Sequence, residues 1–460
     1  MSNKTIEASS YLLLISLVSA MGGLLFGYDW VVIGGAKPFY EVYFDIAGSP
    51  AMQGWVMGSA ILGCLIGVMI SGSLSDKYGR KPLMTYAALI FIIAAAGTGA
   101  ANNIHWFIFL RIFGGIGIGI ASNLSPMYIA EVSPGNIRGR FVSINQLTIV
   151  LGILSAQLVN WLIADTVAPT EDILNSWNGQ HGWRWMFWAQ TVPAVLFFVL
   201  VFFIPESPRW LATQQRFEKA GSILSRIGGS KYAREEINGI KENIGKQKEK
   251  IGYSALFRGK MPKILMIGVV IAAFQQWCGI NVIFNYAQEI FSAAGYGVSD
   301  ILFNIVVTGV TNVIFTFVGM YSVDRLGRRA LLLFGAIGLG CIYALLGACY
   351  YFHITGISVL MLVVAAIACY AMTLAPIVWV VISEIFPNKV RGMAMAVSTF
   401  SLWTACFVLT YTFPLLNDGL GAYGTFWLYG IICLSGFLFV KKYLPETKGK
   451  SLEEIEKMMN

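Results

Sequence analysis

Residues 76–81 read DKYGRK, and residues 324–329 read DRLGRR. The two hexamers are offset by 248 positions, and each follows a long apolar run. Two more pairs keep nearly the same spacing. Glu131…Arg138-Gly matches Glu384…Arg391-Gly at an offset of 253, and Pro205-Glu-Ser-Pro-Arg matches Pro445-Glu-Thr-Lys-Gly at 240. The pairs fall after the second, fourth and sixth apolar run of their respective halves. Chance similarity between apolar helices would not repeat charged loops in the same order. The chain therefore reads as a duplicated six-span unit, a layout that places a solute site between two halves near the membrane midplane.

Composition supports this reading. Of the 460 residues, 57% are hydrophobic and only 12% are charged, against about 25% charged in soluble domains. Segments long enough for a ~30 Å hydrocarbon core fall near 11–36, 53–75, 83–101, 104–128, 139–164, 184–204, 264–294, 299–323, 330–353, 357–385, 392–416 and 421–440. The expected fold is an all-α integral membrane protein of twelve transmembrane helices in two six-helix halves, with short cytoplasmic helices between them. The first apolar segment has no small-residue cleavage site at the right distance and reads as a retained span. The seven cysteines all lie in apolar runs without metal-ligand spacing, so they read as small buried hydrophobes.

The net charge of +8 is unevenly placed. Of 32 basic residues, all but Lys37, Arg111 and Arg184 fall on one face, which carries DKYGRK, NIRGR, 205–263, DRLGRR, NKVRG and the tail. The loop Asp165–Gly182 on the other face has no Lys or Arg. The positive-inside rule puts the basic face and both termini in the cytoplasm of a plasma (inner) membrane protein. The charge thus reports orientation in a lipid bilayer, not nucleic-acid binding. Residues 205–263 are rich in Lys, Arg, Glu and Gly and suggest amphipathic surface helices. The expected domains are 1–204, the linker 205–263, 264–440, and the tail 441–460.

A charge within a span costs about 2.5–3.5 kcal/mol on insertion scales and needs a reason. Asp29 sits in GGLLFGYDWVVIGG (22–35). Arg111 is its expected partner, because spans one and four run in opposite directions and both residues fall in the outer half. A static pair and a titrating pair both fit this pattern. In AAFQQWCGINVIFNYAQ (272–288), Gln275, Asn281 and Asn285 are spaced to lie roughly on one helical face, with Gln276 beside them. Amides that both donate and accept suit an uncharged polyhydroxyl ligand, or they can join helices. Gln146, Gln157, Asn160, Asn312 and Trp379 extend the set. Asp76 and Asp324 would lie near helix ends and neighbouring arginines. Glu131/Arg138 and Glu384/Arg391 could pair in one state and part in another, or simply anchor loops at the headgroups. The glycine run GGIGIGIAS (114–122) lies within a span and reads as close helix packing. No nucleophile–base pair, Walker motif or metal-ligand cluster stands out, so the sequence suggests neither an enzyme nor an ATP-driven pump, and it calls for no cofactor.

With these motifs together, the chain resembles the sugar porter branch of the major facilitator superfamily over nearly its whole length. The resemblance is carried by GYD (27–29), DKYGRK, RIFGGIGIG (111–119), PMYIAEVSPGNIRGR (126–140), NQ (145–146), PESPRWL (205–211), QQWCGIN (275–281), DRLGRR, WVVISEIFPNKVRG (379–392) and PETKGKSLEE (445–454). The chain is most similar to bacterial D-xylose–proton symporters, then to facilitative glucose transporters. The resemblance implies that Asp29 is the proton-coupling carboxylate and Arg111 its neighbour. It implies sugar contacts at Gln146, Gln275, Gln276, Asn281, Asn312 and Trp379. It implies an intracellular gate of Asp76, Arg80, Glu131, Arg138, Asp324, Arg328, Glu384 and Arg391. The chain departs from the pattern at Asn285 (usually a gate tyrosine), Ile153 and Leu402 (usually amides), and at Met320 and Ala375 (usually glycine).

The expectation is a monomeric secondary transporter of a monosaccharide, pentose or hexose with D-xylose as first candidate, driven by proton symport through alternating access. A proton-independent sugar uniporter is the alternative. A sugar sensor fits poorly, because only about twenty residues follow the last span.

Overall fold

The computed structural model describes residues 9–135, 137–166, 172–246, 253–387 and 390–448; the side chains of 242–246, 323 and 324 lie outside the description. Among the described residues the chain is helical with no strand. Apolar stretches of this length can satisfy their backbone in hydrocarbon only as helices.

Five long helices open the chain: α1 (Ser10–Tyr43), α2 (Pro50–Tyr78), α3 (Arg80–Ala100), α4 (Ile104–Val132) and α5 (Arg138–Ile163). The shorter α6 (Trp183–Ala189) and α7 (Thr191–Val201) build the sixth span. Asn103 caps α4, its side chain accepting from His105 N at 2.7 Å. Next come α8 (Pro208–Thr213), begun by Ser207 with proline in the first turn, and α9 (Phe217–Lys246), which breaks at Gly229. Leu211, Ala212 and Ala220 join these two into a small apolar cluster. This pair is what the polar, charged composition of 205–263 suggests.

The seventh span is discontinuous. It comprises α10 (Met261–Trp277), α11 (Ile280–Asn285) and α12 (Ala287–Ala293), separated at Gly279 and Tyr286. Then follow α13 (Val298–Leu326), α14 (Arg328–Tyr351), α15 (Ile357–Met372), α16 (Leu374–Ile385) and α17 (Arg391–Tyr443). Among the described residues, eleven helical stretches are long and apolar enough to cross a membrane. The last of them, 53 residues long, turns at Gly421 (φ 67°) and thus supplies two spans, giving twelve. Large apolar side chains such as Leu14, Ile93, Leu162, Val192 and Phe203 are exposed, as lipid-facing residues are.

The first helix runs seven residues past the boundary expected near 36, to Tyr43, through Pro38. Lys37 and Glu41 lie in this extension and are buried; an apolarity criterion stops at them.

The chain divides into two compact units. One comprises Met1–Trp30, Leu62–Ala156 and Phe187–Lys250; the other comprises Val31–Ile61, Gln157–Met186 and Ile251–Asn460. In the first unit α3 packs on α4 and α7, and α1 approaches α5 closely: a Cβ on Gly27 would stand 1.9 Å from the Ile149 carbonyl oxygen. Only glycine allows that approach. In the second unit α14 and α10 pack along α17, and α13 and α14 along α15. The same unit holds the far ends of α1 and α2. Gly34 abuts the backbone of Asn285, Gly54 abuts that of Tyr411, and Trp55 meets Phe407 edge-on at 6.2 Å.

Candidate functional site

The first unit holds the buried acid–base pair. Arg111 Nη1 donates to Asp29 Oδ1 at 2.9 Å, and Nη2 approaches the Asp29 carbonyl oxygen at 3.4 Å. Asp29 is 4% exposed and Arg111 3%. The guanidinium also lies 5.8 Å from the centroid of the Phe187 ring. The pairing is one-sided: Asp29 Oδ2 and Arg111 Nε are buried without a hydrogen-bond partner. A fork-to-fork pair would satisfy both. Here one carboxylate oxygen is left without a donor.

The amides lie on both units. Gln146 is half-buried on α5 in the first. In the second unit Gln275 Nε2 donates to the carbonyls of Leu374 (3.2 Å) and Ala375 (3.3 Å), where α15 gives way to α16, and its Oε1 is buried and unpartnered. Asn281 Nδ2 donates to Gln276 Oε1 and lies 3.6 Å from Cys406 Sγ. Asn285 is buried with Oδ1 unpartnered, Asn312 is buried on α13, and Trp379 is 39% exposed on α16. Gln275, Asn281 and Asn285 share one face only on an unbroken helix. The left-handed Gly279 (φ 85°) breaks it between the first two, and the Gln276–Asn281 contact spans that break. Gln157 is buried with both amide atoms unpartnered, one helical turn beyond Ile153, whereas Asn160 donates to the Val32 carbonyl oxygen at 3.0 Å and so ties α5 to α1.

The repeated charged motifs form two matching constellations, one in each unit. In the first, Arg80 grips Glu131 bidentately (2.8 and 3.0 Å) and donates to the Ser75 carbonyl oxygen at 2.9 Å. In the second, Arg328 donates to Glu384 at 3.2 Å, and Thr447 Oγ1 donates to the same carboxylate at 2.6 Å. The sequence suggests Glu131–Arg138 and Glu384–Arg391 pairs. In this structure the glutamates are held by the loop arginines, while Arg138 and Arg391 donate to the backbone at Ser133 and Phe386. Asp76 is largely exposed and 3.4 Å from Arg80. The side chain of Asp324 lies outside the described residues.

Two glutamates absent from the expected gate complete the constellations, one in each. Glu206 accepts from the backbone N–H groups of Arg80 and Lys81 at 3.0–3.3 Å, and Glu446 accepts from those of Arg328 and Arg329 at 2.9 and 3.0 Å. Each thus sits on the positive end of a helix, α3 or α14. The preceding residues, Gly79 (φ 100°) and Gly327 (φ 92°), admit the carboxylates, since a Cβ on either would lie under 3 Å from the glutamate. The PESPR/PETKG repeat carried this signal in the sequence. The two caps differ electrostatically. Burial pushes the Glu206 carboxyl above its usual range, against the N–H groups of Ser207, Arg80 and Lys81. Burial acts on Glu446 too, but the N–H groups of Lys448, Arg328, Ala330 and Arg329 together hold it below. The Glu446 cap therefore stabilises the fold above the unfolded carboxylate value, about pH 4.3, and that contribution is lost as pH falls through the lowered folded value. For Glu206 the folded state favours the protonated form, so its contribution is present below the unfolded value and is lost as pH rises through the raised folded value. At neutral pH, Glu446→Gln is expected to cost about 1 kcal/mol and Glu206→Gln less; paired thermal melts read the difference.

A family model described as "Sugar (and other) transporter" matches residues 15–459. The arabinose-proton symporter of Bacillus subtilis is 39% identical over 453 residues, covering 98% of this chain and 96% of the relative. The D-xylose-proton symporter of Escherichia coli K12 is 37% identical over 478 residues, covering 97% and 96%. An inward-open structure of the xylose transporter XylE from E. coli superposes with a TM-score of 0.85 at 34% identity, over 97% of this chain and 99% of that one. With the twelve spans, the matched charged constellations and a family match along almost its entire length, the chain belongs to the sugar transporter family, a family of multi-pass membrane carriers and not enzymes.

Proposed function

We propose that this protein carries a monosaccharide across the plasma (inner) membrane together with a proton, by alternating access of its two six-span halves, 1–204 and 264–440, linked through 205–263. D-Xylose or a similar pentose or hexose is the first candidate, in keeping with what the two symporter relatives are named for. The basic loops, the tail 441–460 and both termini face the cytoplasm, and the protein works as a monomer.

The observation that carries the reading is the buried Asp29–Arg111 pair with its one unpartnered carboxylate oxygen. Asp29 takes a proton from the outside at Oδ2. Neutralising the carboxylate weakens its hold on Arg111, and the halves rock with sugar bound. On the inner side the proton leaves and the pair re-forms. Gln146, Gln275, Gln276, Asn281, Asn312 and Trp379 hold the sugar. The unpartnered Gln275 oxygen and the Gln276–Asn281 pair offer the mix of acceptors and donors that hydroxyls need. The two charged constellations, with Glu206 and Glu446, form the cytoplasmic gate. The test is uptake by proteoliposomes under an imposed pH gradient, acid outside, with equal sugar on both sides. Net uptake supports symport; absence of uptake together with normal equilibration leaves a uniporter.

Gln276→Ala removes an amide that buried hydroxyls would otherwise pair with. It is expected to weaken sugar binding about tenfold, read by calorimetry; unchanged affinity removes Gln276 from the site.

A further inference from the structure

One largely buried ionic cluster, in which the Glu289 side chain is 21% exposed, plays no part in the sugar site, the coupling pair or the gate. Lys37 on α1 is 1% exposed and Glu41, one turn on, 6%. Lys37 Nζ stands 2.7 Å from Glu41 Oε1 and is also bonded to Glu289 Oε1 on α12. Glu289 Oε2 is buried with no donor. Among the described residues, the further ionisable groups around the cluster are tyrosines: Tyr40 on α1, Tyr286 between α11 and α12 with Lys37 5.6 Å from its ring centroid, and Tyr429 of α17 beyond it. Tyr286 donates to the Thr410 carbonyl oxygen at 2.7 Å and Tyr40 to Met57 Sδ at 3.7 Å. Nearby, Gly34 lies against the Asn285 backbone, so α1 and this part of the seventh span are in direct contact.

Two carboxylates share one ammonium, so the fully ionised cluster carries one uncompensated negative charge. Burying such a charge costs several kcal/mol, and one proton on either carboxyl removes the excess while keeping the Lys37 bridge. We propose that Lys37, Glu41 and Glu289 form a second proton-binding site that takes up one proton from water as α1 closes on α12 and returns it to the same side when they part. An O–H bond forms on a carboxyl oxygen on closing and breaks on opening. No proton crosses the membrane by this route. The cluster makes closure of the outer side depend on external pH, apart from the coupling at Asp29. This rests on the transport reading only in requiring that the outer ends of α1 and α12 separate.

Glu41→Gln and Glu289→Gln keep the side-chain shape and the acceptor for Lys37 but remove the excess charge. In purified protein, a measurement that needs no sugar, the thermal midpoint should fall as pH is raised above the unfolded glutamate value of about 4.3, since the folded cluster keeps a proton that the unfolded chain gives up. Either Gln variant should hold the acid-side midpoint throughout. In proteoliposomes at equal pH on both sides, the closed-to-open ratio should shift up to about tenfold per pH unit, read as the pH dependence of sugar exchange, and each Gln variant should flatten it. Wild-type slopes that persist in both Gln variants overturn the proposal. Failure of wild type to exchange sugar at all overturns the transport reading and leaves the melting test standing.

Discussion

Asp29→Asn protein is expected to equilibrate sugar across a membrane but to accumulate none. Asparagine keeps the shape and one acceptor for Arg111 Nη1, yet it cannot take up a proton, so the pair loses its switch and keeps its packing. One charge moving through 100 mV supplies about 2.3 kcal/mol, which corresponds to an accumulation of about forty- to fifty-fold. The variant should lose that entire factor, and exchange of labelled sugar between equal pools should continue. Concentrative uptake by the variant at the wild-type level would remove Asp29 from coupling.

The second large effect is expected at Arg111. Arg111→Leu leaves Asp29 buried with no cation, and breaking a buried pair from one side costs about 3–5 kcal/mol. The thermal midpoint should drop sharply. Asp29→Asn added to Arg111→Leu removes the stranded charge and should restore much of the loss. That asymmetry, in which the double variant is more stable than Arg111→Leu alone, separates a charge pair from two unrelated packing residues. Additive losses would contradict the pairing as an energetic unit.

Much of the fold was legible because hydrocarbon allows few solutions. Apolar runs of the right length become helices, and charged loops repeated in order report the duplication. Asp29 and Arg111 stood out because a charge in such a run is costly, and the alternating direction of the spans brought them together. What the sequence concealed depends on distant partners or on local backbone. Lys37 and Glu41 look like the solvated end of a span; they are buried because Glu289, nearly 250 positions on, meets them. The left-handed Gly279 interrupts a segment whose composition reads as continuous helix. Glu131 and Glu384 share short motifs with Arg138 and Arg391, yet the loop arginines reach them better across the helix ends. Glu206 and Glu446 were visible as a repeat, but only the geometry reveals what they do: each closes the exposed N–H groups of a helix start.

The measurement closest to the central claim is the pH of a lightly buffered suspension of energy-depleted cells expressing the protein when sugar is added. Entry of sugar with a proton predicts prompt alkalinisation of the medium, present with wild type and absent with Asp29→Asn. Sugar entry with no change in external pH would contradict symport and leave a facilitator.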